Sequence, residues 1–158
     1  NIEFLKQTLV NDRLTEELIY QSVKKGTALN EAIEQTLKGK EMKMPGGLSF
    51  KDKDGTKRTE IRIKWWENPA QMTYKSISVE PLEKLPEQPI KLSELKSLDF
   101  YPGDDKKVFF GHYWLKGKPS LYKDNICCLD YSVAKGGKLV AYRLNGESRL
   151  DRRNLTYV

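Results

Sequence analysis

The spacing of apolar positions changes twice along the chain. Through residues 1–40 it is helical. "IEFLKQTLV" gives a short apolar start. Thr15 caps a second helix, with Glu16 and Glu17 in the first turn, where the helix dipole favours acids. Leu14, Leu18 and Val23 follow near-helical spacing, and Lys24-Lys25-Gly26 is a stop signal. Thr27 caps a third helix with an apolar stripe of Leu29, Ala32, Ile33 and Leu37, ended by Lys38-Gly39-Lys40. Pro45-Gly46-Gly47 then breaks the chain.

Beyond that break the period becomes that of strands. "LSFKDKDGTKRTEIRIKWW" predicts a hairpin turning at Asp54-Gly55. Ile61, Ile63 and Trp65 alternate with Arg62 and Lys64, the pattern of a strand with one buried face. "DKDG" opens like a calcium-binding loop, but its glycine is at the fourth position instead of the sixth and the spaced acids are absent. Residues 67–106 carry Pro69, Pro81, Pro86, Pro89 and Pro102; within them "VEPLEKLPEQPIKL" (79–92) predicts an extended excursion over the surface, and Leu92 to Leu98 a short helix. The last third reads as consecutive strands: Val108 to Phe110, Ile126 to Leu129, Leu139 to Tyr142, and a final one around Leu150 to Tyr157 after a turn at Asn145-Gly146. A glycine-containing loop spans Ser132 to Lys138. The expectation is an α+β fold in which N-terminal helices precede a mostly antiparallel sheet. Its segments are 1–44 (helical), 45–106 (hairpin and proline-rich insert) and 107–158 (C-terminal strands).

Composition adds a constraint. Hydrophobic residues make up 38% of the 158 and charged residues 32%, against usual values of ~45–50% (glycine included) and ~25%. So thin a core suits a piece that packs against more protein. The chain opens without methionine and without a basic region followed by an apolar run, so a segment cut from something longer is expected. No run of ~18 apolar residues is present to span a membrane. Cys127 and Cys128 are neighbours in the apolar run "NICCLDY", and adjacent cysteines seldom pair. They read as small buried hydrophobes in a reducing, cytoplasmic setting, with no disulfide framework. Lys plus Arg is 28 and Asp plus Glu is 22, a net +6. That favours anionic partners, although the lysines are scattered over the chain and fit a solvated surface equally.

Complete catalytic constellations are missing from the sequence. His112 is the one histidine, so neither a two-histidine zinc site nor an H-E-x-x-H helix can be assembled. G-x-S-x-G, the phosphate-binding G-x-x-x-x-G-K-[ST] and G-x-G-x-x-G are also absent. In "VFFGHYWLKGKP", Gly111 and His112 close an apolar strand, and glycine permits a sharp turn and close approach. That puts the imidazole at a strand's carboxyl end, where sites on α/β sheets lie. On spacing alone His112 is either a packed or surface histidine or a metal ligand.

The C-terminal third, "VFFGHYWLKGKP" followed by "NICCLDYSVAKGGKLVAYRLNGESRL", resembles the end of calcineurin-like metallophosphoesterases, nearest to the bacterial branch of serine/threonine phosphatase-like and diadenosine-tetraphosphatase-like enzymes. The matching pieces are Gly111-His112, Leu129-Asp130, Gly136-Gly137 and Leu139 to Arg143. "LKGKEMKMPGGLSFKDKDGTKRTEIRIKWW" is similar to that branch's insert, so the resemblance spans residues 35–158. It implies the C-terminal part of an α/β/β/α sandwich. In the complete enzyme, two divalent ions (Mn, Fe or Zn) would activate a water and polarise a phosphate ester for in-line attack. The family's D-x-H, G-D-x-x and N-H-[DE] motifs are absent, as is a further histidine, and Trp114 stands where many members have a second histidine. The resemblance therefore implies a fragment that needs the N-terminal half of the same protein, is inactive alone and binds no metal of its own.

In that reading His112 binds one metal, Gly111 and Asp130 support it, and Asp130 orients the loop or a neighbour instead of ligating. Arg58, Arg62 and Lys64 either receive substrate anions or form a solvated strand face. Tyr113, Trp114 and Tyr131 either line the pocket or pack in the core. Phosphoprotein, dinucleoside polyphosphate and small phosphate ester all fit as substrate. Two other classes compete: a nucleic-acid-binding module, suggested by the net charge and Trp65-Trp66, and a structural domain that dimerises through an exposed core.

Overall fold

The computed structural model describes residues 2–11, 13–52 and 54–158. Asn1 and Asp12, within the expected helical segment, and Lys53, within the expected hairpin turn, lie outside them. The chain forms two compact units, Asn1–Leu98 and Asp99–Val158. The class is α+β, with helices gathered in the first unit and strands in both.

Three helices open the first unit: α1 (Ile2–Thr8), α2 (Glu16–Ser22) and α3 (Ala28–Lys38). Both expected caps are present. Thr15 Oγ1 accepts from the Leu18 amide at 3.3 Å, and Thr27 Oγ1 from the Asn30 amide at 3.2 Å. The Asn30 side chain donates to the Ser22 carbonyl at 2.7 Å, tying the start of α3 to the end of α2. The apolar stripes need correction. Leu29 and Ala32 are buried, but Leu37 is 67% exposed, and Leu14 and Val23 also face solvent.

The core of this unit is built on a pair the sequence did not announce. Strand β1 (Glu41–Lys43) runs antiparallel to β4 (Glu60–Arg62), with Met42 opposite Ile61. Between them, β2 (Phe50–Lys51) and β3 (Lys57–Arg58) make the expected hairpin. Its turn is closed by the Asp52 carboxylate, which accepts from the Asp54 and Thr56 amides at 3.0 and 2.9 Å, and Gly55 supplies φ 79°. Ile61 and Ile63 are buried as the alternation predicts, but the next buried ring is Trp66 (1% exposed), not Trp65.

The stretch 79–92 is no simple surface excursion, because Leu85 and Ile90 within it are buried, and the proline-rich segment around it is also ordered. Helix α4 (Tyr74–Ile77) forms inside it under a Thr73/Ser76 capping box. Tyr74, Ile77, Leu85 and Ile90 then pack against Met42, Met44, Ile61 and Ile63. The Tyr74 hydroxyl donates to Glu94 at 2.6 Å and accepts from the Lys91 amide at 3.2 Å. The helix expected from Leu92 to Leu98 is a single 3₁₀ turn, Leu92–Glu94.

In the second unit, β7 (Ile126–Cys128) is a fully buried central strand. Strand β5 (Val108–Phe110) pairs with it in parallel and β6 (Leu121–Lys123) antiparallel. A second sheet has the order β10–β9–β8, all antiparallel, from β8 (Asp130–Tyr131), β9 (Lys138–Tyr142) and β10 (Leu155–Tyr157). Pairing among the described strands is thus antiparallel except for β5–β7. The expected tight turn at Asn145-Gly146 is part of a longer loop that Glu147 closes. Its carboxylate accepts from the Tyr142 hydroxyl, from the Asn145 amide at 2.7 Å and from Asn154 Nδ2 at 3.1 Å. Cys127 and Cys128 are free and buried. Among the described residues no helix is long and apolar enough to cross a membrane.

Candidate functional site around His112

Strand β5 delivers Gly111-His112 at its carboxyl end, and the backbone there leaves the ordinary regions. His112 (φ 69°), Trp114 (φ 49°) and Ser132 (φ 60°) all adopt left-handed conformations. For residues with a Cβ, each costs about 1–2 kcal/mol, so surrounding contacts must hold them. Gly111 does not have the role first assigned to it. A Cβ there would lie 3.5 Å from Asp130 Cβ, an ordinary contact. The left-handed turn sits on His112 itself.

Asp130 is the residue that holds the loop. Its Oδ2 accepts from the Trp114 amide at 3.1 Å and its Oδ1 from the Ser132 amide at 3.0 Å. Its carbonyl accepts from the Leu115 amide at 3.0 Å. Ser132 completes the junction by donating from Oγ to the Leu115 carbonyl at 3.1 Å. Below it, the Leu129 amide donates to the Phe110 carbonyl at 2.9 Å, carrying the β5–β7 pairing up to the loop. Gly137 lies so close on the far side that a Cβ would fall 1.9 Å from the Tyr131 carbonyl oxygen. Its amide donates to the Ser132 carbonyl at 3.0 Å. Asp130 therefore ties the loop through backbone groups.

The other candidates separate. His112 is exposed. Tyr113 and Tyr131 are each 5% exposed and belong to the core of the unit. The Tyr113 ring meets Phe110 edge-on at 4.8 Å, and the Tyr131 hydroxyl accepts from the Ser120 amide at 3.1 Å. Burial pushes the Tyr131 hydroxyl above its ordinary pKa. Trp114 is 41% exposed, and Lys135 Nζ stands 4.3 Å from the centre of its ring.

Arg58, Arg62 and Lys64 belong to the first unit, and each is engaged there. Arg58 Nε pairs with Asp52 Oδ2 at 2.7 Å and holds that carboxyl below its ordinary range. Arg62 Nε faces Glu41, its cross-strand neighbour, at 3.7 Å. Lys64 donates to the Ser76 carbonyl at 2.7 Å, and burial lowers its pKa. An incoming phosphate would compete with these partners.

Among the described residues no group of three His, Cys, Asp or Glu side chains converges. Burial pushes the thiols of Cys127 and Cys128 up to about 11 and about 12, so they stay protonated at neutral pH and offer no thiolate. Sequence reasoning found His112 and Asp130 but missed Ser132 and Lys135 and gave Gly137 no steric role. The Gly136-Gly137 pair was the signal for the last; Lys135 had none.

No protein-family profile, curated protein or solved structure matches this chain.

Proposed function

We propose that the chain is the C-terminal portion of a calcineurin-like metallophosphoesterase of the serine/threonine phosphatase-like branch, and that His112 supplies one imidazole to its metal centre. The observation that carries this reading is the presentation of His112. The imidazole stands exposed just past the carboxyl end of a strand, on a left-handed backbone held in place through Asp130. Strained backbone that neighbours over-determine is a mark of functional positions. One imidazole is not a metal site, so in this reading the remaining ligands come from a preceding segment of the same protein. The sandwich architecture and the setting in the cytoplasm belong to the same proposal.

The test begins with the gene. An in-frame D-x-H, then G-D-x-x, then N-H-[DE] upstream of the Asn1 codon is the expected result. The product of that longer frame should hydrolyse p-nitrophenyl phosphate with added Mn²⁺, and His112→Ala should lower the rate roughly 100-fold or more, since a metal centre supplies several kcal/mol of charge stabilisation. The present chain alone should show no such turnover. Metal-dependent turnover by this chain that vanishes in His112→Ala would overturn its incompleteness. An unaffected His112→Ala variant of the longer protein would overturn the role of His112.

A further inference from the structure

We propose that Trp114 and Lys135 form a binding subsite for a phosphate ester that carries a flat ring. This rests on the phosphoesterase reading of His112, which lies two residues from Trp114 in the same loop.

Three observations converge. Trp114 keeps a large ring 41% exposed while its backbone is held in the left-handed region. Exposing a big aromatic and straining its backbone are both unfavourable, and the chain spends specific contacts on that arrangement: the Trp114 amide on Asp130 Oδ2, and Leu115 tied at both its amide and its carbonyl. Second, the ring has a cation set on it, with Lys135 Nζ 4.3 Å from its centre. Third, the lysine is placed by the same junction. It ends the 3₁₀ turn Val133–Lys135, which is bracketed by left-handed Ser132 and Gly136, and its amide donates to the Ser132 carbonyl at 2.8 Å. The backbones that carry ring and ammonium are thus set from one centre, and placing recognition groups beforehand lowers the entropic cost of binding.

The chemistry offered is an aromatic surface for stacking and an ammonium for an anion. A lysine lying on tryptophan merely as surface packing is a weak contact when exposed, and it would need neither the left-handed Trp114 nor the ties that hold it. A ring bonded to a phosphate satisfies both groups, and His112 is adjacent for the phosphate in the reading above. A nucleotide and an aryl phosphate share this chemistry.

The test is binding to the intact chain, followed at the Trp114 indole N–H by ¹H–¹⁵N NMR, with the resonance assigned through Trp114→Phe. Phenyl phosphate should shift it saturably. Lys135→Gln should weaken that binding roughly fivefold or more, while Lys135→Arg stays within about twofold, because the lost contact is a charge-assisted hydrogen bond. Trp114→Leu, followed in that variant at the Lys135 backbone amide, should weaken phenyl phosphate but leave the affinity for inorganic phosphate unchanged. Tighter binding of adenosine monophosphate than of phenyl phosphate assigns a nucleotide as the natural ligand; the reverse order assigns an aryl phosphate. Absence of a saturable shift, or equal binding by Lys135→Gln and the parent, overturns the subsite. Hydrolysis that needs His112 but is indifferent to Lys135→Gln overturns the subsite alone. Saturable binding at Trp114 in a protein whose hydrolysis ignores His112 overturns the metal role of His112 alone.

Discussion

Replacing Gly137 by alanine is the sharpest test of the junction beneath His112. The added methyl carbon would stand 1.9 Å from the Tyr131 carbonyl oxygen, 2.7 Å from the Ser132 carbonyl oxygen and 2.8 Å from the Ser132 carbonyl carbon. Ordinary contact begins at 3.4 Å, so the backbone must open by about 1.5 Å (3.4 less 1.9). All three atoms are main chain, and none can step aside by rotating a side chain. That opening is enough to break the Gly137 amide's bond to the Ser132 carbonyl (3.0 Å) and to strain the neighbouring β8–β9 register, Tyr131 opposite Lys138. Two or three backbone hydrogen bonds at about 1 kcal/mol each put the loss at roughly 2–3 kcal/mol. Gly111→Ala is the control. Its methyl group meets only Asp130 Cβ at 3.5 Å, so the change should stay within about 0.5 kcal/mol. Urea unfolding of both variants, read by far-ultraviolet circular dichroism, gives the two differences. A Gly137→Ala variant as stable as Gly111→Ala would refute the packing described for the loop.

Three further outcomes follow from other parts of the molecule. Hydrogen bonds from Tyr142 hold the Glu147 carboxyl down at about 2, below its ordinary 4.5. A depressed carboxyl stabilises the fold above its unfolded pKa and loses that contribution as pH falls from about 4.5 through about 2. Glu147→Gln should therefore flatten the acid limb of a stability-versus-pH curve over that window, and an unchanged limb would count against the clamp. Ile77→Ala, which empties a fully buried position beside Tyr74 and Leu85, should cost about 2–5 kcal/mol in the same unfolding assay. Cys127 and Cys128, raised by burial to about 11 and about 12, should resist iodoacetamide at pH 8 until denaturant is added; rapid labelling of the native chain would show that β7 is not the buried strand described.

Several features that local chemistry decides were readable from the sequence, although the Thr73/Ser76 capping box was not read from it. The Thr15 and Thr27 caps and the Asp54-Gly55 turn use partners within four residues, which a sequence displays directly. Which apolar face finds a neighbour is a tertiary matter. Leu37 continues its helical stripe yet points to solvent, and Trp66 is buried where alternation favours Trp65. The prolines of residues 79–92 suggested an exposed path, but Leu85 and Ile90 among them had β1 and β4 to pack against. At the site, a strand ending in Gly-His made His112 visible. What fixes it was not, because the Trp114 amide and the Asp130 carboxylate are 16 residues apart and the Ser132 hydroxyl reaches back 17 to Leu115.

Asp130 grips main-chain amides at Trp114 and Ser132, and not their side chains. Every residue but proline carries that amide. The fastening is therefore blind to what projects from position 114. The loop can be used as a mount: a library varied at that one position, with Asp130, Ser132 and Gly137 untouched, would exchange the group displayed two residues from His112 while keeping the bracket that displays it.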